Sequence, residues 1–445
     1  MDTVASHHDD LALLKAGKLK GCKHLKLACN LTEFPPEIFD LADSLEILDL
    51  SNNRLSTLPD DFNRLHRLRI LFCSFNQFTA LPDVLGASKT LSMIGFKANK
   101  IAHVAEGAIP TQTLRWLILT DNSLKSLPQS LGHCKQLQKL MLAGNQLSQL
   151  PETLARCQNL ELLRISANHL SELPSWLFTL PRLAWLAYAG NLISESREQD
   201  VLMQHATARI DWHELELQQL LGQGASGLTY QAIWNEANKP PQTVAVKLFK
   251  SGLTSDGLPQ SEMAANILAD SHVNLVGLKG IIHNHPEGTL GLVMPLLETK
   301  LSVLAGPPSF ESCSRDVYQD SSQYTPAVVL NIIKSVANAA LHMHQRGIMH
   351  GDLYAHNILY NDHHAVLSDL GGASCLPLDD EGRGQKLQQI ESLAFGILLE
   401  ELLHRCTMDH NAATSLWQLQ QDCCQPTPAA RPLFDDIYKR LSAIQ

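Results

Sequence analysis

The sequence lacks an uncharged apolar run of about 18 residues, so no segment of it reads as a membrane-spanning helix. It also lacks CxxC pairs. Ten cysteines are scattered along 445 residues, and the only close pair, Cys423 and Cys424, is adjacent in sequence. That usage predicts reduced thiols rather than a disulfide framework or a zinc site. There is no basic excess: the formal net charge is −10, and the mixed run KAGKLKGCK near the start reads as a solvated face, which leaves no electrostatic footprint for nucleic acid. The opening residues, MDTVASHHDDLALL, have acids and histidines where a secretory signal needs a basic end and an apolar core. The expectation is a cytoplasmic chain with no membrane or nucleic-acid partner, divided into two or three domains by its length.

What the first half does have is a period. Asn30, Asn53, Asn76, Asn99, Asn122, Asn145, Asn168 and Asn191 lie 23 residues apart in register. Three and five residues before each stand apolar side chains, such as Leu50 and Leu48 or Leu142 and Leu140, which are the columns a stacked core would bury. The phrase is plain in LEILDLSNNRLSTLP and LQKLMLAGNQLSQLP. It resembles the leucine-rich repeat, and the resemblance covers residues 19–194. One turn cannot bury its apolar edge alone, so turns stack into an α/β solenoid. The asparagines are then structural, since an amide at a buried bend serves backbone donors and acceptors of neighbouring turns.

Alternation along each strand sends the residues six and four before each asparagine to the concave face. Those columns are rich in apolar residues: Ile47, Ile70, Phe72, Met93, Trp116, Ile118, Met141, Leu162 and Trp185. A patch of that size predicts a protein partner, with Phe72, Trp116, Ile118, Met141 and Trp185 as contacts. The alternative is that these side chains pack among themselves.

After a polar connector, 195–211, the grammar changes. LLGQGASGLTY spaces Gly222, Gly224 and Gly227 as GxGxxG, and TVAVKLF follows with Lys247 on a strand-like run. Glu262 lies in SEMAANILADSHVNLVGL, and Met294 in GLVMPLLE. His350, Asp352 and Asn357 fit HxDxxxxN, and Asp369, Leu370 and Gly371 fit DFG with leucine for phenylalanine. SLAFGILLEELL and PTPAARPLF, with Arg431, complete the order. Residues 212–445 resemble the α+β bilobal eukaryotic-type protein kinase fold. The resemblance implies ATP and Mg²⁺ as cofactors. Gly222, Gly224 and Gly227 would admit phosphates, Lys247 would pair with Glu262 and meet the α- and β-phosphates, and Met294 would line the adenine side. Asn357 and Asp369 would hold the metal, and Asp352 would take the proton of the acceptor hydroxyl. The histidine pairs His283 with His285 and His342 with His344 are read as surface rather than metal ligands.

The departures concern the acceptor end. Gly351 replaces the arginine common before the catalytic aspartate, and Tyr354 replaces the lysine two after it. His356 is left as the loop's own basic residue and as a candidate catalytic group. The segment from Asp369 to the next long helix is short and has no APE, Glu391 stands where an aspartate usually braces the loop, and Arg431 has no assigned partner. The insert GPPSFESCSRDVYQDSSQY reads as a loop. The resulting expectation is a protein kinase acting on a serine or threonine hydroxyl, with repeats that bind a partner or substrate. A catalytically silent nucleotide-binding scaffold and a small-molecule phosphotransferase are the alternatives.

Overall fold

The computed structural model describes residues 7–204, 207–224, 226–250, 252–254, 256–297, 301–377 and 382–444. Ala225 of the glycine-rich stretch, part of the connector and part of the segment after Asp369 lie outside the described residues. Packing divides the chain into two compact units. One comprises Met1–Leu163 and Asn168–Leu180, the other Arg164–Ala167 and Pro181–Gln445.

The first unit opens with α1 (His7–Lys15). Seven three-residue strands follow: β1 (His24–Lys26), β2 (Ile47–Asp49), β3 (Ile70–Phe72), β4 (Met93–Gly95), β5 (Trp116–Ile118), β6 (Lys139–Met141) and β7 (Leu162–Arg164), whose last residue belongs to the second unit. The strands pair parallel in chain order with a 23-residue register, His24 beside Ile47, Ile47 beside Ile70, and on through Trp116 beside Lys139. The middle residue of each, as Leu48, Leu71 and Leu140, is fully buried. In most repeats a proline precedes a 3-10 turn on the way back from the strand, as at Pro82, Pro128 and Pro151. Those turns approach so closely that a Cβ on Gly132 would sit 2.3 Å from the Thr153 carbonyl oxygen.

The asparagines close the bends. Asn145 Nδ2 donates to the carbonyls of Leu119 and Leu142, both at 2.9 Å, and its Oδ1 accepts from Leu124 N at 3.0 Å. From the second repeat on, the residue before the asparagine turns into the left-handed region, at Asn52, Phe75, Ala98, Asp121, Gly144, Ala167 and Gly190, whereas in the first repeat Asn30 itself does so. Asparagine, aspartate and glycine tolerate it; at Phe75, Ala98 and Ala167 the amide bonds must hold a disfavoured backbone.

The concave face is less open than the alternation predicts. Ile70, Met93 and Leu162 are buried, and Phe72, Trp116, Ile118 and Met141 are half-buried. Neighbouring strands lie about 4.8 Å apart, so long side chains in one column fall across the next. The Phe72 ring lies over Gly95, Trp116 Nε1 approaches Met141 Sδ at 3.2 Å, and Lys139 Nζ sits 4.5 Å above the Trp116 ring. A continuous exposed apolar patch is therefore corrected to a face whose large residues shield one another. Trp185 is buried to 1% exposure, its ring covered by that of Tyr354.

In the second unit β8 (Trp185–Ala187) leads to α2 (Leu192–Gln204). Six strands form the next sheet: β9 (Arg209–Asp211), β10 (Leu215–Gln223), β11 (Gly227–Trp234), β12 (Gln242–Phe249), then, after α3 (Pro259–Ala269), β13 (Gly280–His283) and β14 (Gly291–Pro295). Their order is β10-β11-β12-β14-β13-β9. Alternation on β12 buries Val244 and Val246 against Ile210, Leu215, Ala232, Ile282 and Val293, and so turns Lys247 the other way. Val201 of α2 packs on Ala264 and Ile267 of α3. Short strands β15 (Ser302–Val303), β17 (Ile358–Tyr360) and β18 (Ala365–Leu367) form one small sheet, and β16 (Ile348–Met349) pairs with β19 (Ser374–Cys375). The remaining helices are α4 (Pro326–Gln345), α5 (Arg383–Leu403), α6 (His410–Cys423) and α7 (Phe434–Ser442). Thr325 caps α4 by accepting from Val328 N, with Pro326 at its first turn. Helix α4 is long and apolar enough to cross a membrane, and more than half of that stretch is buried inside the protein. All ten cysteines are free thiols.

The division of packing does not follow the repeat boundary expected at residue 194. Arg164–Ala167 and everything from Pro181 are bonded into the second unit, through Arg164, Trp185, Tyr188 and α2.

The asparagine ladder yields a prediction. Asn145→Ala leaves buried backbone groups unmet and should cost the first unit about 1–3 kcal/mol, read as a lower urea midpoint for its transition. An unchanged midpoint contradicts the ladder's structural role.

Candidate active site

Between the six-stranded sheet and the residues around Asp369 lies a cavity of about 520 Å³, lined by Gly224, Gly227, Ala245, Lys247, Glu262, Met294, Leu297, Leu367 and Asp369, among others. That volume suits a ligand of nucleotide size. Its roof is the β10-β11 turn. Gly227 is held by sterics, because a Cβ there would lie 2.5 Å from the Leu248 carbonyl oxygen. Gly222 and Gly224 meet nothing within 4 Å of a built Cβ, so their bare backbone borders open space.

Lys247, carried inward by β12, forms an ion pair with Glu262 of α3, and its Nζ lies 3.7 Å from Asp369 Oδ1. Burial alone would lower the lysine's pKa; the charges of Asp369 and Glu262 outweigh it and raise it, so the ammonium is kept. Asp369 takes a left-handed backbone, φ +58°, which lets its Oδ1 accept from Gly371 N at 3.1 Å while half of the side chain remains exposed.

The loop between β16 and β17 is a bonded frame. His350 Nδ1 accepts from Asp352 N at 3.2 Å, which leaves the ring proton on Nε2 to donate to the Ser368 carbonyl at 3.0 Å. Asn357 Nδ2 donates to Asp352 Oδ2 and to its carbonyl, both at 3.0 Å, so its amide oxygen is the atom left for a cation. Glu391, fully buried on α5, accepts from Gly351 N at 2.7 Å, His350 N at 3.2 Å and His344 Nε2 at 2.6 Å. Burial would raise its pKa, but His344 and these donors hold it below the ordinary value. A glutamate thus performs the bracing for which its position in the sequence singled it out.

The absent basic residues have physical explanations. Gly351 sits at φ +69°, and a Cβ would meet the carbonyl oxygens of Gly372 at 2.4 Å and Leu186 at 2.5 Å, so no side chain fits. The Tyr354 ring is buried and stacks on Trp185, centroids 4.1 Å apart and 7° from parallel, while Trp185 Nε1 donates to the Leu353 carbonyl. His356 is tied to Asp316, through its Nδ1 at 2.7 Å and its backbone N at 3.1 Å. Arg431 finds three carbonyls, those of Gln425, Gln389 and Pro181, and burial pushes its pKa down to about 10.

One cation does reach Asp352, from far along the chain. Arg164, 2% exposed, donates through Nε to Asp256 Oδ1 at 2.9 Å, through one terminal nitrogen to the Gly351 carbonyl at 2.9 Å, and through the other to Asp352 Oδ1. Burial would raise the Asp352 pKa, but the guanidinium, helped by His356 and His350, lowers it, so the carboxylate is ionised near neutrality. The available signal was thin: Arg164 is the only arginine in its concave column.

Two outcomes follow. For His356, burial would lower the pKa but Asp316 raises it above the ordinary 6.5. A group whose folded pKa is raised lends stability that is complete below its unfolded pKa and is lost as pH rises through the folded one. Wild-type urea midpoints should therefore fall as pH rises from about 6.5, and Asp316→Asn should remove that step. Gly351→Arg, which restores the residue usual in kinases, should lower the thermal midpoint sharply; a variant as stable as wild type contradicts the collision with Gly372 and Leu186.

Comparisons with known proteins bear on the two halves separately. A family model described as protein tyrosine and serine/threonine kinase matches residues 215–391, and one described as leucine rich repeat matches 19–78. A Dictyostelium discoideum protein named "Probable serine/threonine-protein kinase gdt4" is 25% identical over 41% of this chain and 10% of its own length. A serine/threonine-protein kinase of Streptomyces coelicolor is 24% identical over 51% of this chain and 49% of its own. The protein sevenless of Drosophila virilis is 29% identical over 39% and 6%. The chain thus spans no more than half the length of these relatives. It carries leucine-rich repeats followed by a protein kinase domain.

Proposed function

We propose that the chain is an ATP- and Mg²⁺-dependent protein kinase that phosphorylates a serine or threonine hydroxyl. The observation that carries the reading is a nucleotide-sized cavity lined by the Lys247–Glu262 pair, Ser368 and Asp369, with Asn357 bonded to Ser368 and holding Asp352 behind it. The residues suit both cofactors. Lys247 offers a retained ammonium to phosphate oxygens, and Asp369 and Asn357 offer the hard oxygens that Mg²⁺ prefers. When bound, Mg²⁺ supplies positive charge to the transferring group.

The chain's own residues do the rest. Asp352, held by Asn357, accepts the proton of the hydroxyl whose oxygen bonds to the γ-phosphorus as the bond from that phosphorus to the bridging oxygen of ADP breaks. Lys247 stabilises the charge that stays on the nucleotide. Serine/threonine preference is supported by the names of two relatives. The short segment between Asp369 and α5 leaves little platform for an extended peptide, so we assign acceptor or partner binding to the half-buried residues of the repeats, Phe72, Trp116, Ile118 and Met141, in a cytoplasmic protein.

Purified chain with labelled ATP and Mg²⁺ should label itself or an added protein. Asp352→Ala, Asp369→Asn and Lys247→Met should each lower the rate by at least about 100-fold with the fold retained. Transfer that is equal in wild type and Asp352→Ala contradicts the proposal and leaves the silent scaffold.

A further inference from the structure

We infer that Arg164 is a positioning residue of the active site, supplying from outside the catalytic loop the guanidinium that the loop cannot carry. The inference rests on the phosphotransfer reading above. Gly351 has no room for a side chain, yet the space beside its carbonyl and beside Asp352 is filled by a guanidinium. The group arrives from a residue 188 positions earlier in the chain.

Its three donating edges have three fates. The two terminal nitrogens hold the loop, one at the Gly351 carbonyl and one at Asp352 Oδ1. The Nε holds Asp256, three residues before the start of α3, the helix that presents Glu262 to Lys247. One planar cation therefore joins the proton acceptor to the approach of the helix that sets the nucleotide lysine. An arginine within such a loop would need an anion brought to it, typically a phosphate on a neighbouring segment; here Asp256 is a permanent anion in the sequence. The coupling needs no modification to form.

The same contact could be read as a plug that hides Asp352. Two observations favour positioning. Asp352 keeps 18% of its side chain exposed beside the guanidinium, and its second oxygen is oriented by Asn357, so a hydroxyl still has a route to the carboxylate. Arg164 is itself spent on three acceptors at 2% exposure, the arrangement of a group built into the frame.

The test compares wild type, Arg164→Ala, Arg164→Lys, Asp256→Asn and Asp352→Ala for transfer from labelled ATP, with circular dichroism and thermal midpoints as fold controls. Arg164→Ala should lower kcat on the order of 100-fold with KM for ATP unchanged, and added guanidinium ion should restore part of the rate where sodium ion does not. Arg164→Lys keeps the charge without the fork and should recover only part. Asp256→Asn, at a residue that is a quarter exposed, should fold and show a smaller fall in kcat. Should Arg164→Ala unfold, Asp256→Asn decides, and a folded Asp256→Asn with wild-type kcat overturns the inference. Equal or higher kcat in Arg164→Ala also overturns it, and makes Arg164 the plug. No transfer in wild type beyond that of Asp352→Ala overturns the phosphotransfer reading and the role of Arg164 in it, whereas transfer that Asp352→Ala abolishes but that folded Arg164 and Asp256 variants retain in full overturns only the inference.

Discussion

A buried guanidinium must have its donors met, because taking the charge out of water costs several kcal/mol that only well-placed acceptors return. Arg164 meets that condition with two carboxylates and a carbonyl, and most of the second unit's active end can be traced from it. It fixes the Gly351 carbonyl and so the left-handed turn that a side chain would forbid. It keeps Asp352 ionised where burial would neutralise it. Through Asp256 it reaches the approach to α3, whose Glu262 keeps Lys247 in place. Removing any one acceptor would leave a buried N–H donor unmet, so the parts are interdependent.

Glu391 supports the same loop from the other side. Its carboxylate takes the backbone N–H groups of His350 and Gly351 while Arg164 takes the Gly351 carbonyl. The peptide groups around the glycine are thus held by opposite charges at their donor and acceptor ends. This explains how a loop without its usual arginine and lysine keeps a defined shape. Rigidity has come from charges on other elements, with Trp185 stacked on Tyr354 closing the surface where a lysine would have pointed.

Much of this was legible in the sequence where spacing is local. Lys247 on an alternating strand, Glu262 on the following helix, and Asp352 and Asn357 five apart declare themselves because strand and helix periods fix which way each side chain points. The 23-residue asparagine period gave the strand register as well as the repeat. Burial was harder. Ile70 and Met93 lie on the predicted face and are buried, because lateral shielding depends on the sizes of neighbours 23 residues away rather than on the residue's own phase. Arg164 and Asp316 were invisible as site residues: their partners lie 92 to 188 positions off for Arg164 and 40 off for Asp316, and no local period encodes such distances. His356, which the sequence offers as the loop's own basic residue and a candidate catalytic group, is bound to Asp316, in what reads as a plain serine-rich insert.

The account makes Arg164 part of the frame that a nucleotide meets, not a group the nucleotide displaces. The most direct measurement is a crystal structure of the whole chain with Mg²⁺ and a non-hydrolysable ATP analogue. The account predicts phosphates between Lys247 and Asp369, with Arg164 still donating to the Gly351 carbonyl and to Asp352. A nucleotide bound with Arg164 withdrawn from Asp352 would contradict it.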